Sequence, residues 1–166
     1  MPKFEHIRHR PPTELARPRP IVIACCPLKS HVNLSTIIRA AGCCGINRVI
    51  ATGHAKLKER IARDGTEGVK LEVRNSLPPV LKKLRAEGFS LVGLEQTTGS
   101  TSLDDMDFPH RTALVVGSER EGLSDQCLEL LDHVVEIPVW GMPFSHNVAT
   151  ATSLAMYAYC RQYPAG

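Results

Sequence analysis

Three short stretches of the chain carry residue types able to do chemistry. In "GMPFSHNVATA" (141–151), Ser145 stands beside His146 and two places before Asn147, at the head of an alanine-rich run. A serine and a histidine act as nucleophile and base only when their side chains converge. Sequence neighbours rarely do so, and no G-x-S-x-G elbow exists in the chain. Ser145 or Asn147 can instead cap a helix, a side-chain oxygen accepting an orphan backbone N–H. In "HVNLSTIIRAAG" (31–42), Asn33 is placed to cap a second helix, and Arg39 falls on the face opposite Leu34, Ile38 and Ala41. Arg39 is then either a solvated charge or a guanidinium aimed at a phosphate or a developing oxyanion. In "VVGSEREGLS" (115–124), Gly117 ends an apolar run and Gly122 follows Glu119, Arg120 and Glu121. Glycines at a strand end let a ligand approach the backbone closely. The dinucleotide fingerprint and the Walker A loop are both absent, which points away from NAD and ATP. A turn stabilised by Glu–Arg pairing accounts for the same residues.

The elements around these stretches follow from periodicity. "IVIACCP" (21–27), "RVIAT" (48–52), "FSLVGLEQ" (89–96) and "RTALVVG" (111–117) are short apolar runs of the kind buried on both faces of a parallel sheet. "VKLEVRN" (69–75) and "HVVEIP" (133–138) add two further strands. Between them, Leu34, Ile37, Ile38 and Ala41 recur at helical spacing, with Gly45 suited to the turn that ends that helix. Further helices are expected over 56–64, 77–88, 124–131 and 147–162, and an acidic loop, "LDDMDFP", over 103–109. Strands alternating with helices predict an α/β domain of five or six parallel strands. Ligands of such sheets bind at the carboxyl ends of the strands, and the three stretches lie there.

Bulk properties bound the function. A chain of 166 residues fits one domain, here 21–166, preceded by a basic, Pro-rich arm over 1–20. Residues 1–20 hold five Lys and Arg against two acids, and the rest of the chain balances at fifteen of each, so the arm carries the net charge of +3. Such an arm, with Arg8, Arg10, Arg17 and Arg19, suits a polyanion such as nucleic acid, or is a solvated tail. The six cysteines fall as two adjacent pairs and two singles. That spacing is not that of a zinc or redox motif, so no metal is expected, and the thiols read as small hydrophobes in a reducing compartment. Without a signal-like start or a membrane-length apolar run, the expected location is the cytoplasm.

Taken together and in this order, the stretches resemble the three signature motifs of the SpoU (TrmH-like) branch of the SPOUT RNA methyltransferases. "NLSTIIRAAGCCGINRVI" is similar to the first, "LVVGSEREGLS" to the second and "IPVWGMPFSHNVATATSLAMYAY" to the third. The resemblance covers about 21–163. It implies an α/β parallel-sheet SPOUT fold with a deep C-terminal trefoil knot, S-adenosyl-L-methionine bound within the knot, and a homodimer with each active site at the subunit interface. It implies transfer of the methyl group to a ribose 2′-hydroxyl of RNA. Arg39, Asn33, Glu119, Ser145 and Asn147 match the family's active-site positions, with Asn33 and Glu119 expected to fix Arg39. Gly117, Ile137 and His146 match positions that hold the cofactor, bordered by Leu94, Glu95, Gly122 and Gly141. His146 stands where the family commonly has leucine. "LVGLEQTTGSTSL" and "VGSEREGLS" look more like the tRNA guanosine-methylating members. The expected substrate is therefore tRNA, with an rRNA methyltransferase or a catalytically silent RNA-binding protein as alternatives.

Overall fold

The computed structural model describes residues 3–8 and 10–166, so Met1, Pro2 and His9 of the expected arm lie outside the described residues. Seven strands form one sheet: β1 (Ile21–Cys25), β2 (Arg48–Thr52), β3 (Lys70–Arg74), β4 (Ser90–Leu94), β5 (Thr101–Ser102), β6 (Thr112–Val116) and β7 (His133–Glu136). Their order is β3-β2-β1-β6-β4-β7-β5, and every pair is parallel. The helices are α1 (His31–Cys43), α2 (Glu59–Ala62), α3 (Gly65–Gly68), α4 (Leu77–Ala86), α5 (Asp125–Leu128) and α6 (Val148–Gln162).

Side chains alternate across a strand, so β1 serves two cores. Ile21, Ile23 and Cys25 face a cluster with Ile37 and Ile38 of α1 and Met156 and Tyr159 of α6. Val22 and Ala24 face the opposite cluster, with Leu81 and Leu84 of α4 and Cys127 of α5. Each large aliphatic side chain so buried contributes roughly 1.5–3 kcal/mol. All six cysteines are free thiols, and burial pushes Cys25 and Cys26 up to about 12. Among the described residues no helix is long and apolar enough to cross a membrane.

Several elements differ from the sequence reading, each for a local reason. Helix α1 begins two residues early because the Ser30 side chain, not that of Asn33, accepts the Asn33 N–H and caps it. The helix expected over 56–64 is reduced to the four residues of α2, since Arg63 turns to φ +50° and stops it. The seventh strand, β5, is two residues long, too short to leave a period in the sequence. Pairing with β7 forms it.

The last residues of the expected arm pack against the domain. Ala16 N–H donates to the Ala165 carbonyl at 3.0 Å, and the Pro20 carbonyl accepts from Thr112 N–H at 3.1 Å. The Leu15 side chain lies against Gly45, leaving no room there for a Cβ. Arg19 is 8% exposed. Its guanidinium donates from Nε to the Cys44 carbonyl at 2.8 Å and from Nη1 to the Tyr163 carbonyl, tying the end of α1 to the end of α6. Arg19, expected among the RNA-binding residues, is thus held as a clamp between two main-chain carbonyls. The exposed arginines of the arm are Arg8, Arg10 and Arg17. Hydrogen bonds to a charged donor contribute about 1.5–3 kcal/mol each. Arg19→Ala is expected to lower unfolding free energy by about 2–4 kcal/mol in urea titrations, whereas exposed Arg17→Ala stays within about 0.5 kcal/mol; equal effects would contradict the clamp.

Candidate functional site

The carboxyl ends of β1, β6 and the segment entering α6 are joined by one continuous run of hydrogen bonds. Glu119, just past β6, reaches across to the start of α1. Its Oε2 accepts the Lys29 N–H at 3.0 Å, and its Oε1 accepts the Ser30 N–H at 2.9 Å and Asn33 Nδ2 at 3.1 Å. Helix α1 has no acidic residue in its own first turn, so this carboxylate supplies the negative charge that its N-terminus favours. Asn33 then turns its Oδ1 to accept Asn147 Nδ2 at 3.1 Å. Asn147 uses its own Oδ1 to cap α6, accepting from Ala149 N–H at 2.9 Å and Thr150 N–H at 3.3 Å.

Direction in this chain is forced. An ionised carboxylate only accepts, so Asn33 must present its NH2 to Glu119 and its oxygen to Asn147. Asn147 in turn must present its NH2 to Asn33 and its oxygen to the helix. Burial favours the neutral form of Glu119, but the N–H groups of Ser30, Lys29 and Glu119 itself, with the Asn33 amide, outweigh it. The Glu119 carboxyl is held below the usual carboxylate range.

Beside this network lies a cleft of about 430 Å³, outside the ends of β4, β6 and β7 and roofed by the segment leading into α6. That size is within the range of small-molecule sites. Its β6 wall is a tight turn in which Ser118 and Gly122 exchange backbone hydrogen bonds at 3.1 and 3.2 Å. A Cβ on Gly117 would lie 2.5 Å from the Gly122 carbonyl carbon and 2.8 Å from Leu123 N, so even alanine would displace backbone. Glu95 holds the other side of the turn, Oε2 accepting Leu123 N–H and Oε1 accepting Gln96 N–H, both at 3.0 Å. Gln96 Nε2 donates to the Phe144 carbonyl at 3.3 Å, linking this wall to the roof.

Of the residues expected to hold a cofactor, Leu94, Glu95, Gly117, Gly122, Ile137 and His146 line the cleft. Gly141 does not; it sits on the exposed loop beyond Val139. Of those expected to be catalytic, Glu119, Ser145 and Asn147 line it, while Asn33 stands behind it as the bridge. Ser145 and His146 are both exposed, and among the described residues no hydrogen bond joins them, so they form no nucleophile–base pair. Arg39 is the main departure. Glu119 and Asn33 bond to each other, to backbone and to Asn147, not to Arg39, which is exposed and lines no part of this cleft. The sequence reading also missed Ser118, Arg120 and Glu136 of the lining. Arg120 and Glu136 flank quoted motif residues, but nothing in their spacing singles them out.

The cleft suits a ligand with an apolar ring and a positive charge. Leu94, Val116, Ile137 and Val139 supply apolar wall, and Glu95, Glu119 and Glu136 supply carboxylates. Glu136 is itself steadied by the Ser100 hydroxyl, which donates to Oε2 at 2.7 Å. S-adenosyl-L-methionine, a sulfonium with an adenine, fits this donor and acceptor set.

The lowered folded-state pKa of Glu119 gives a pH signature. Its stabilisation is complete above the ordinary carboxylate pKa and is lost as pH falls through the folded value. Glu119→Gln is expected to cost about 1–3 kcal/mol at neutral pH and to flatten the acid limb of a stability–pH profile measured by urea unfolding. An acid limb as steep as that of the unmodified protein would contradict this role.

Comparison with known proteins agrees with the geometry. Residues 20–157 match the SpoU rRNA Methylase family. The tRNA (guanosine(18)-2'-O)-methyltransferase of Aquifex aeolicus (strain VF5) is 29% identical over 150 residues, 88% of this chain and 71% of that protein. The crystal structure of the A. aeolicus TrmH/SpoU tRNA modifying enzyme superposes with a TM-score of 0.84 at 27% identity, over 90% of this chain and 78% of that one. The SpoU methyltransferase AviRb from Streptomyces viridochromogenes, in complex with the cofactor AdoMet, gives 0.77 at 28% identity, over 91% and 63%. Lengths differ widely among relatives: the chain spans only 6% of a mouse protein with which it shares 40% identity over 93 residues. A family match over most of the sequence, the same fold, and a cleft lined by its second and third motifs lead to one assignment: this chain belongs to the SpoU methylase family.

Proposed function

We propose that the chain transfers the methyl group of S-adenosyl-L-methionine to a ribose 2′-hydroxyl of RNA, with tRNA as substrate and guanosine the favoured nucleoside. The observation that carries the reading is the cleft at the ends of β4, β6 and β7, whose size and charge suit that cofactor. The relatives named for tRNA guanosine methylation and the neighbour solved with AdoMet support it. Bound there, the cofactor would supply an already activated methyl group. Glu95, through the 117–123 turn, sets the shape of the wall against which it rests. Ser145, exposed at the mouth of the cleft, is placed to orient a ribose.

Arg39 cannot serve as a literal base, because a guanidinium keeps its proton in proteins. Its suitable work is to hold a phosphate and stabilise the alkoxide that develops on the 2′-oxygen, which typically contributes a factor of about 10²–10³. Its position outside its own cleft supports a homodimer in which Arg39 serves the partner's site. Val32, Thr36, Arg39 and Cys43 share one outward stripe of α1 at helical spacing. Helix α6 packs beside α1 and exposes Leu154 and Tyr157, and the preceding loop exposes Trp140 (89%) and Phe144 (75%). Aromatic exposure on that scale beside an outward helix stripe is what a subunit interface needs. The same segment, leaving β7 by the 137–147 loop and returning against α1, is consistent with the C-terminal trefoil knot of this family. A cytoplasmic location accords with reduced thiols.

Incubation with labelled S-adenosyl-L-methionine and total small RNA, followed by nucleoside analysis, is expected to yield 2′-O-methylguanosine from the tRNA fraction. Label in rRNA alone would move the substrate, and cofactor and RNA binding without label would leave only a binding protein. Arg39→Ala is expected to lower transfer by about 10²-fold or more while calorimetric cofactor affinity stays within twofold; parallel loss of both would remove Arg39 from the chemistry.

A further inference from the structure

Charge pairing is uneven over the surface. On the β2–β3 side the cations are neutralised: Arg48 meets Glu72 at 2.8 Å and Glu87 at 2.9 Å, Arg74 meets Glu72 at 2.6 Å, and Lys70 and Lys83 meet Glu72 and Glu87 at 4.0 Å. Around the segment joining β2 to α3 the opposite holds. Lys56, Lys58, Arg60 and Arg63 are all exposed, and among the described residues none lies within 4.0 Å of a carboxylate. Glu59 and Asp64 share the segment without engaging them.

This basic segment is held in place. Ser35, fully buried on α1, accepts the Lys58 N–H on its hydroxyl at 2.7 Å and donates that hydroxyl to the His31 carbonyl at 2.6 Å. Ala62 is also fully buried, and Leu57 packs against the α1 core. At its far end the chain presses on α1 so closely that a Cβ on Gly65 would lie 3.1 Å from Arg39 Cα. The four cations therefore project from a backbone pinned against α1, in a segment whose far end lies beside Arg39. Arg63 stands at its end with φ +50° and ψ −141°, a backbone conformation costly for a side-chain-bearing residue and retained only where surrounding structure holds it.

We propose that Lys56, Lys58, Arg60 and Arg63 form the track that binds the RNA phosphate backbone and leads the strand to Arg39. The proposal rests on the RNA methyltransferase reading above, and adds to it the surface that holds the substrate. Point charges on such a segment, without an aromatic platform among them, suit phosphates rather than bases, so the track supplies affinity and register and leaves nucleotide choice to the cleft. It also shifts the main binding charge from the N-terminal arm to the body of the domain.

The test is the salt dependence of binding to bulk tRNA. Neutralising three phosphate contacts is expected to flatten the slope of log K against log salt by about 2–3 in the triple variant Lys56→Gln, Lys58→Gln, Arg60→Gln, with cofactor affinity unchanged. The control variant Lys70→Gln, Lys83→Gln, on the paired surface, is expected to keep the slope of the unmodified protein. In the unmodified protein, bound tRNA is expected to shield Lys56 and Lys58 from amine acylation, read by mass spectrometry. A triple variant with an unchanged slope, or lysines labelled equally with and without tRNA, would overturn the track while leaving the methyltransferase reading standing. Failure of the unmodified protein to bind tRNA at any salt would overturn both.

Discussion

The carboxyl end of the sheet hangs on the orientation of one amide, that of Asn33. Three segments far apart in sequence have to meet there: the entry to α1, the turn after β6 and the entry to α6. Each contributes polar groups that would be costly to leave unpaired near the core. The charge of Glu119 settles the arrangement, because a carboxylate that only accepts dictates which end of Asn33 faces it, and Asn33 then dictates Asn147. The run ends at backbone N–H groups of α6, so a charge just past β6 fixes the start of a helix nearly thirty residues later. Each amide position must donate on one side and accept on the other, which a carboxylate or an ammonium in its place could not do.

Asn33 and Asn147 hold the scaffold, with Glu119 as the anchor, and only Ser145 of the third motif presents an uncommitted hydroxyl at the mouth of the cleft. The cleft wall is built from backbone, and its shape depends on two glycines pressed together at 117 and 122 with Glu95 locking the turn from outside. Arg39 stands apart from all of this. A rigid pocket in one place and an unpaired guanidinium in another suit a reaction in which alignment of two reactants contributes much of the rate.

Much of the arrangement was legible in the sequence, and the exceptions are physical. The apolar runs at 21–27, 48–52 and 111–117 each hold a buried parallel strand, legible because they are short for a helix and rich in β-branched residues. Gly117 and Asn147 stood out because each ends or begins an element, and Glu119 through the resemblance of its motif. The packing of Arg19 was not legible because its partners, the carbonyls of Cys44 and Tyr163, are main-chain groups distant in sequence. Asn33 read as a cap for a similar reason: a polar residue near a helix start has a local explanation, and its true partners lie 86 and 114 residues away. The charged segment 56–64 read as a helix, yet pinning by Ser35 and the turn at Arg63 hold most of it irregular.

In the proposed homodimer, the pocket and the guanidinium of each site come from different subunits. Co-expression of an Arg39→Ala chain with a Gly117→Ala chain tests it, since each is inactive alone by a different defect. Random pairing makes half the dimers mixed, each with one site that has both an intact pocket and an intact arginine, so methyl transfer should return to about a quarter of the unmodified level. Mixed dimers without activity would place Arg39 and the cleft of one chain in the same site, and would contradict the account.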